Sequence, residues 1–234
     1  MTSPMPAQPY AGTPGPVLRS PVALGRAAAV LLGVVIVTDL FAVFADQLEL
    51  SVLGDIANGA TGSAVFQRAD RADSFYNAAG IAQILALVAA MVVYLCWLWR
   101  VRINAEVFAP GEQSMKRGWT IGAWFCPVVN LWFPRRITCD IWDASTTPAN
   151  RRGHALINTW WALWLGSLFA ERVSTRQYTR AQGVAELRDA ARQILLCDLL
   201  DIVAAVLAVL VVLTITRMQD GKALAGPVLL PVDG

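Results

Sequence analysis

Apolar positions in this chain gather into long unbroken runs instead of alternating with polar ones. Leu24 to Ala45 and Ala78 to Trp99 each match the ~20 residues that a helix needs to cross a bilayer. A third run, Leu199 to Thr216, is capped by Arg217 and belongs to a long helix predicted to start near Val184. The first run follows Arg19 and Arg26. The second closes on Trp97 and Trp99 and then on Arg100 and Arg102, an aromatic belt followed by the positive charge of a cytoplasmic flank. Together these flanks predict a cytoplasmic N-terminus. So long an apolar core also favours an uncleaved anchor over a signal peptide cut after Ala45. Between the first two runs, Asp46 to Tyr76 carries five acids and is interrupted by Gly54, Gly59 and Gly62, which predicts a loop outside the cytoplasm.

Two further runs fall short of a comfortable span: Trp119 to Phe133, and Ala155 to Ala170 with Asn158, Thr159 and Ser167 inside it. Either can cross, lie flat or re-enter. The first contains Pro127 and leads into Pro134. Within a helix these prolines strip the carbonyls of Ala123 and Asn130 of their N–H partners where no water replaces them. Asn130 and Asn104 are candidates to serve those carbonyls or to hydrogen-bond across helices. After Pro134, Ile137, Ile141 and Ala144 share one face while Arg136, Asp140 and Asp143 share another, the pattern of a short interfacial helix. Charge bias alone prefers three spans, but re-entrant backbone needs protein around it. The expectation is therefore an all-α polytopic transmembrane bundle of four spans, with five as the alternative, carrying a Pro-broken interfacial or re-entrant helix. Residues 1–23, with six prolines among the first 21, read as a disordered cytoplasmic tail. Residues 24–217 form the membrane domain, and 218–234 a C-terminal tail.

Composition strengthens the membrane assignment: 56% hydrophobic and 15% charged residues, with a mean hydropathy of +0.50. A net charge of +2 with no basic face of its own excludes a nucleic-acid partner. Cys96, Cys126, Cys139 and Cys197 lack CxxC spacing, so neither a disulfide nor a zinc site is expected. The single histidine, His154, has no ligand partner at helical spacing. Hydrolase, phosphate-loop, zinc-protease and dinucleotide motifs are absent from the sequence, so no cofactor and no enzyme activity are expected.

Candidate chemistry lies with the carboxylates inside apolar runs, because an ionisable group in a bilayer is costly and often marks an ion or proton route. Asp39 lies in the first span, and Asp198 and Asp201 near the start of the last. With four spans, Asp39 and Asp201 face the same leaflet and can share a proton or a cation. The competing expectation is that each snorkels to water or pairs with Arg188 or Arg192. Arg135 and Arg136 fit the positive-inside pattern and can also attract anionic headgroups. Trp97, Trp99, Trp160, Trp161 and Trp164 are expected as an interfacial belt. Trp119, Trp124, Pro127, Asn130, Trp132, Pro134 and Trp142, with the two arginines, form a packing or interaction motif.

Several ordered stretches carry a family likeness. They are W-R-x-R-x-N-A-E (Trp99 to Glu106), P-G (Pro110, Gly111), R-G-W-x-I-G-x-W-F-x-P-V-x-N-L-W-F-P-R-R (Arg117 to Arg136), D-I-W-D-A-S (Asp140 to Ser145) and N-x-W-W-x-L-W (Asn158 to Trp164). Over roughly residues 24–217 the chain resembles the actinobacterial domain-of-unknown-function 4328 family. The resemblance implies an integral membrane protein, commonly behind a Pro-rich tail, with no activity, cofactor or catalytic residue to transfer. The resulting expectation is a multi-pass plasma-membrane protein of structural or partner-binding role. Its partners would be the bilayer, other membrane proteins or a second copy. The alternative is a small transporter or ion- or proton-conducting unit using its intramembrane carboxylates.

Overall fold

The computed structural model describes residues 18–147 and 153–225, and these are helical with no strand among them. The helices are α1 (Val22–Ala57), α2 (Ser63–Phe108), the single turn α3 (Trp119–Gly122), α4 (Phe133–Ser145), α5 (Ala155–Arg180) and α6 (Val184–Leu224), with a 3₁₀ turn at Val129–Leu131. Three of them, α1, α2 and α6, are long and apolar enough to cross a membrane.

Contacts between helices set their directions. Asp39 and Phe41 of α1 meet Gln83 and Phe75 of α2, so the pair is an antiparallel hairpin. Gly25 faces Thr216 and Gly54 faces Arg188, so α6 also runs antiparallel to α1. Ser174 meets Cys197 across the short connection from Arg180 to Val184, so α5 folds back antiparallel on α6. Tyr178 on α5 reaches Glu49 on α1 and stacks on Tyr76 of α2, closing the four long helices into a bundle.

The loop expected over Asp46 to Tyr76 does not form. α1 continues to Ala57, α2 begins at Ser63, and only residues 58–62 turn, with Gly59 and Gly62 at φ of 85° and 108°, a region that side-chain-bearing residues avoid. The cause lies in α2, where Val65, Ala72, Ala79 and Ala86 are buried at seven-residue intervals. A small-residue seam of that period lets two helices approach closely along their whole length, so pairing outlasts the apolar run. At the other end α6 runs on through Leu224, and Gln219 is buried in the core, so the ordered region passes the expected boundary at 217. The expected N-terminal tail falls partly outside the described residues. Within them, Arg19 is already held: its N–H donates to Asn104 Oδ1 at 3.1 Å and its carbonyl accepts from Asn104 Nδ2 at 2.8 Å.

Residues 119–145 form a hairpin that packs into the helical bundle. Trp124 packs on Tyr94 and on Trp164, and Tyr94 stands about 21 Å up α2 from Phe108 at about 1.5 Å per residue. From that depth α4 descends, burying Ile137, Ile141 and Ala144 against the bundle and leaving Arg136 and Asp143 exposed, the two faces read from the sequence. Neither proline interrupts a helix. Pro127 lies in the turn after α3, and Pro134 occupies the first turn of α4, where an N–H has no intrahelical partner to lose. Neither asparagine serves a proline-freed carbonyl: Asn104 binds Arg19 and Gln219, and Asn130 Oδ1 is buried without a partner. The hairpin is tied down instead by Trp161 Nε1 donating to Leu131 O at 2.9 Å.

Candidate functional site

Carboxyl groups from two helices converge inside the bundle, at the end away from the hairpin. From α1 come Asp39, Asp46 and Glu49, which are 4%, 2% and 7% exposed. From α6 come Asp198 and Asp201, both half-buried. On α1 the three acids share the face that also buries Ala42, Ala45 and Val52, and so helical spacing turns all of them inward.

Neutral donors bridge these acids. Gln83 Nε2 on α2 donates to Asp39 Oδ1 and to Asp198 Oδ1, each at 3.1 Å. The Tyr178 hydroxyl on α5 donates to Glu49 Oε1 at 2.5 Å. Asp39 Oδ2 and Asp46 Oδ2 are buried without any hydrogen-bond partner. The ion pairs among the described residues lie elsewhere, and neither Arg188 nor Arg192 reaches the cluster: Arg192 pairs with Asp189. The snorkelling and pairing expectation therefore does not hold for Asp39, which is buried and bound to an amide.

On the side toward the hairpin the carboxyl cluster is closed by apolar packing. Below Asp39, Val211, Val212, Ile215, Leu98 and Trp97 are fully buried, and Trp97 Nε1 donates to Thr216 Oγ1 at 3.0 Å. Beside them the aromatic rings of Tyr94, Trp124, Trp160, Trp161 and Trp164 interlock at centroid separations of 4.7–6.4 Å. Trp97, Trp160 and Trp161 are thus buried core residues and not an interfacial belt, whereas Trp99 and Trp164 stay half-exposed. The indoles of Trp97 and Trp161 find acceptors in Thr216 and Leu131, which rewards burial over the interface.

The remaining motif residues divide by face. Trp142 is buried, while Trp119, Trp132, Phe125 and Val128 are exposed around the hairpin. Arg135 donates from Nε and Nη2 to Asn158 Oδ1 at 2.9 and 2.6 Å, tying α4 to α5, and Arg136 is exposed. At the mouth of the hairpin a second polar assembly forms. Buried Arg102 pairs with Glu106 at 2.9 Å and donates to Met115 O at 2.7 Å, and Glu106 also holds Arg117. That contact keeps the Arg117 guanidinium above its ordinary value, by hydrogen bonding first and charge second. His154 Nε2 meets Asp143 Oδ1 at 2.8 Å.

Sequence reasoning reached Asp39, Asp198 and Asp201 but missed Asp46, Glu49, Gln83 and Tyr178. A signal was present: Asp39, Ala42, Asp46 and Glu49 recur at three- and four-residue steps, one helix face continuing past the apolar run. Among the described residues no group of three or more histidine, cysteine or acidic side chains is arranged to hold a metal ion. No curated protein and no solved structure matches the chain. The family model described as Domain of unknown function (DUF4328) matches residues 60–217, which span the turn into α2, the hairpin at 119–145 and most of α6; the chain belongs to that family.

Proposed function

We propose that this protein is a multi-pass plasma-membrane protein of four spans, with a cytoplasmic N-terminus, that handles protons or small cations through its carboxyl core and carries out no enzymatic step. The observation that carries this reading is the burial of Asp39, Asp46 and Glu49, with an amide on Asp39 and Asp198, a phenol on Glu49 and no ion pair to any of them. A buried ionised carboxylate without a countercharge is costly, and a structural scaffold gains nothing by collecting several. The four-span topology draws support from α5, whose start lies beside the hairpin and which packs on α6 as far along as Ser174 against Cys197. In that topology all the acids lie toward the outer face.

Purified protein reconstituted into vesicles, with a pH-sensitive dye inside, tests the reading. A proton or cation gradient should discharge faster with wild-type protein than in empty vesicles, and Asp39→Asn or Asp198→Asn should return the rate to baseline while the protein still inserts. Baseline rates for the wild type under both gradients would refute it. A partner-binding role has one observation in its favour, the exposed Phe125, Val128 and Trp132 around the hairpin. Trp132→Ala would then weaken a detergent-stable complex isolated from native membranes, and a partner-free monomer would rule that role out.

A further inference from the structure

We infer that the cleft where α5 ends and α6 begins binds a membrane phospholipid, its phosphate held by Arg176 and Arg180 and its acyl chains lying along Phe169 and Leu200. The inference goes beyond the carboxyl core and does not depend on which side of the membrane this end faces.

The cleft has a volume of about 570 Å³, inside the range of about 300–1,000 Å³ found for small-molecule sites. Val173, Arg176 and Arg180 line it from α5, and Glu186, Asp189 and Gln193 from α6. Each wall is one helix face. On α5, Phe169, Val173, Arg176 and Arg180 follow at steps of four, three and four residues. On α6, Leu200, Leu196, Gln193, Asp189 and Glu186 follow at steps of four, three, four and three. Both faces are exposed along their length, with Phe169 at 58% and Leu196 at 58%, and both turn from apolar to polar at the same level.

That level is the edge of the apolar layer. Ser174 meets Cys197 at 3.6 Å, two residues before the apolar run of α6 opens at Leu199. Arg176 and Arg180 stand about 3 and 9 Å beyond Ser174 at about 1.5 Å per residue. A headgroup layer is about 5–8 Å thick on each face of a bilayer, so both guanidinium groups reach it. Phe169 and Leu200 lie on the hydrocarbon side of the same boundary.

Charge in the cleft is unbalanced. Its acids are already engaged: Glu186 Oε2 accepts from the Gln182 N–H at 2.9 Å, and Asp189 pairs with Arg192 at 3.3 Å. Among the described residues no ion pair or hydrogen bond holds the guanidinium of Arg176 or of Arg180. A planar guanidinium takes a phosphate through two parallel N–H bonds. A soluble anion would use the arginines alone and leave the apolar half of each wall bare. A phospholipid supplies both ends in the order in which the walls present them.

Native mass spectrometry of the full-length protein in detergent, titrated with dioleoylphosphatidylglycerol, tests the site. One lipid should bind per chain before any further adduct appears. Arg176→Gln together with Arg180→Gln should weaken that first binding about tenfold or more, the worth of one charge-assisted hydrogen bond. Arg71→Gln, which removes an exposed arginine of α2 outside the cleft, should leave it unchanged. Dioleoylglycerol keeps the chains without the phosphate, and glycerophosphate keeps the phosphate without the chains; each should compete at least about tenfold more weakly than the whole lipid. Equal competition by dioleoylglycerol overturns the arginine contact, and equal competition by glycerophosphate replaces the lipid with a soluble anion. Adducts that never saturate, or equal weakening by Arg71→Gln, reduce the cleft to ordinary lipid coat. Any of these refutes the inference, and the wild-type competitions decide it even if the double variant fails to fold.

Discussion

Gly25→Ala is the smallest change that should unseat the bundle. A Cβ at this position would come within 2.9 Å of Thr216 Cγ2 and 3.1 Å of Thr216 Cβ, closer than packed carbons approach, with the hydroxyl nearer still. Thr216 cannot rotate freely out of the way, because its Oγ1 accepts from Trp97 Nε1 at 3.0 Å and Trp97 is fully buried. Overpacking of this kind costs about 1–3 kcal/mol. If Thr216 does turn, the indole N–H is left unsatisfied in the core, about 1–3 kcal/mol more. Against this, alanine in place of glycine in a helix gains about 1 kcal/mol. The net expectation is a destabilisation of about 3 kcal/mol, read by equilibrium unfolding in mixed micelles. In a Thr216→Ala background the hydroxyl and methyl are gone, and the same Gly25→Ala change should cost at least about 1 kcal/mol less, a coupling visible in a double-mutant cycle. A neutral or stabilising Gly25→Ala in the wild-type background would refute the close α1–α6 approach, and additive single effects would refute Thr216 as its cause.

Three further outcomes follow from the hairpin and its mouth. Glu106→Gln removes the acid shared by buried Arg102 and Arg117, so it should destabilise by about 3–5 kcal/mol and open residues 109–118 to limited proteolysis; an unchanged digestion pattern counts against the clamp. Trp161→Phe keeps the ring but drops the bond to Leu131 O, at about 1–3 kcal/mol, and should increase hydrogen exchange around Leu131 without affecting α1. Burial pushes the Cys139 thiol up to about 11, only partly opposed by nearby Arg135. A raised value keeps the thiol protonated as pH rises through 8, so about one part in a thousand is thiolate there; iodoacetamide at that pH should leave Cys139 intact in the folded protein, and rapid alkylation would contradict its burial.

The three long apolar helices and both faces of α4 were legible in the sequence, because unbroken apolar runs and amphipathic spacing report directly on environment. The extent of the α1–α2 hairpin was not. Acids and glycines after Ala45 resemble a loop in composition, and what keeps them helical is a partner: the Val65, Ala72, Ala79, Ala86 seam, whose meaning depends on another helix lying against it. The same blind spot hid Asp46 and Glu49, since a carboxylate looks solvated until the element that buries it is known. Tryptophan misled in the opposite sense. Trp97, Trp160 and Trp161 fit a belt by position, yet each sits inside the bundle, two of them donating to Thr216 and Leu131. The prolines at 127 and 134 read as helix-breakers within a run, whereas they mark its turn and the start of its return.

The length of α2 has a consequence for how the molecule meets the cell envelope. At 46 residues it is about 69 Å long at about 1.5 Å per residue, while the hydrocarbon layer is only about 30 Å thick. A helix of that length crossing such a layer leaves more than half of itself outside the hydrocarbon, divided between its two ends. In the proposed topology the Gly59–Gly62 tip stands outside the cytoplasm, roughly 20 Å at about 1.5 Å per residue beyond the apolar run of α2 that begins at Ala78. An epitope inserted there should be readable by antibody on intact spheroplasts, and its height measurable by fluorescence quenching from the membrane plane.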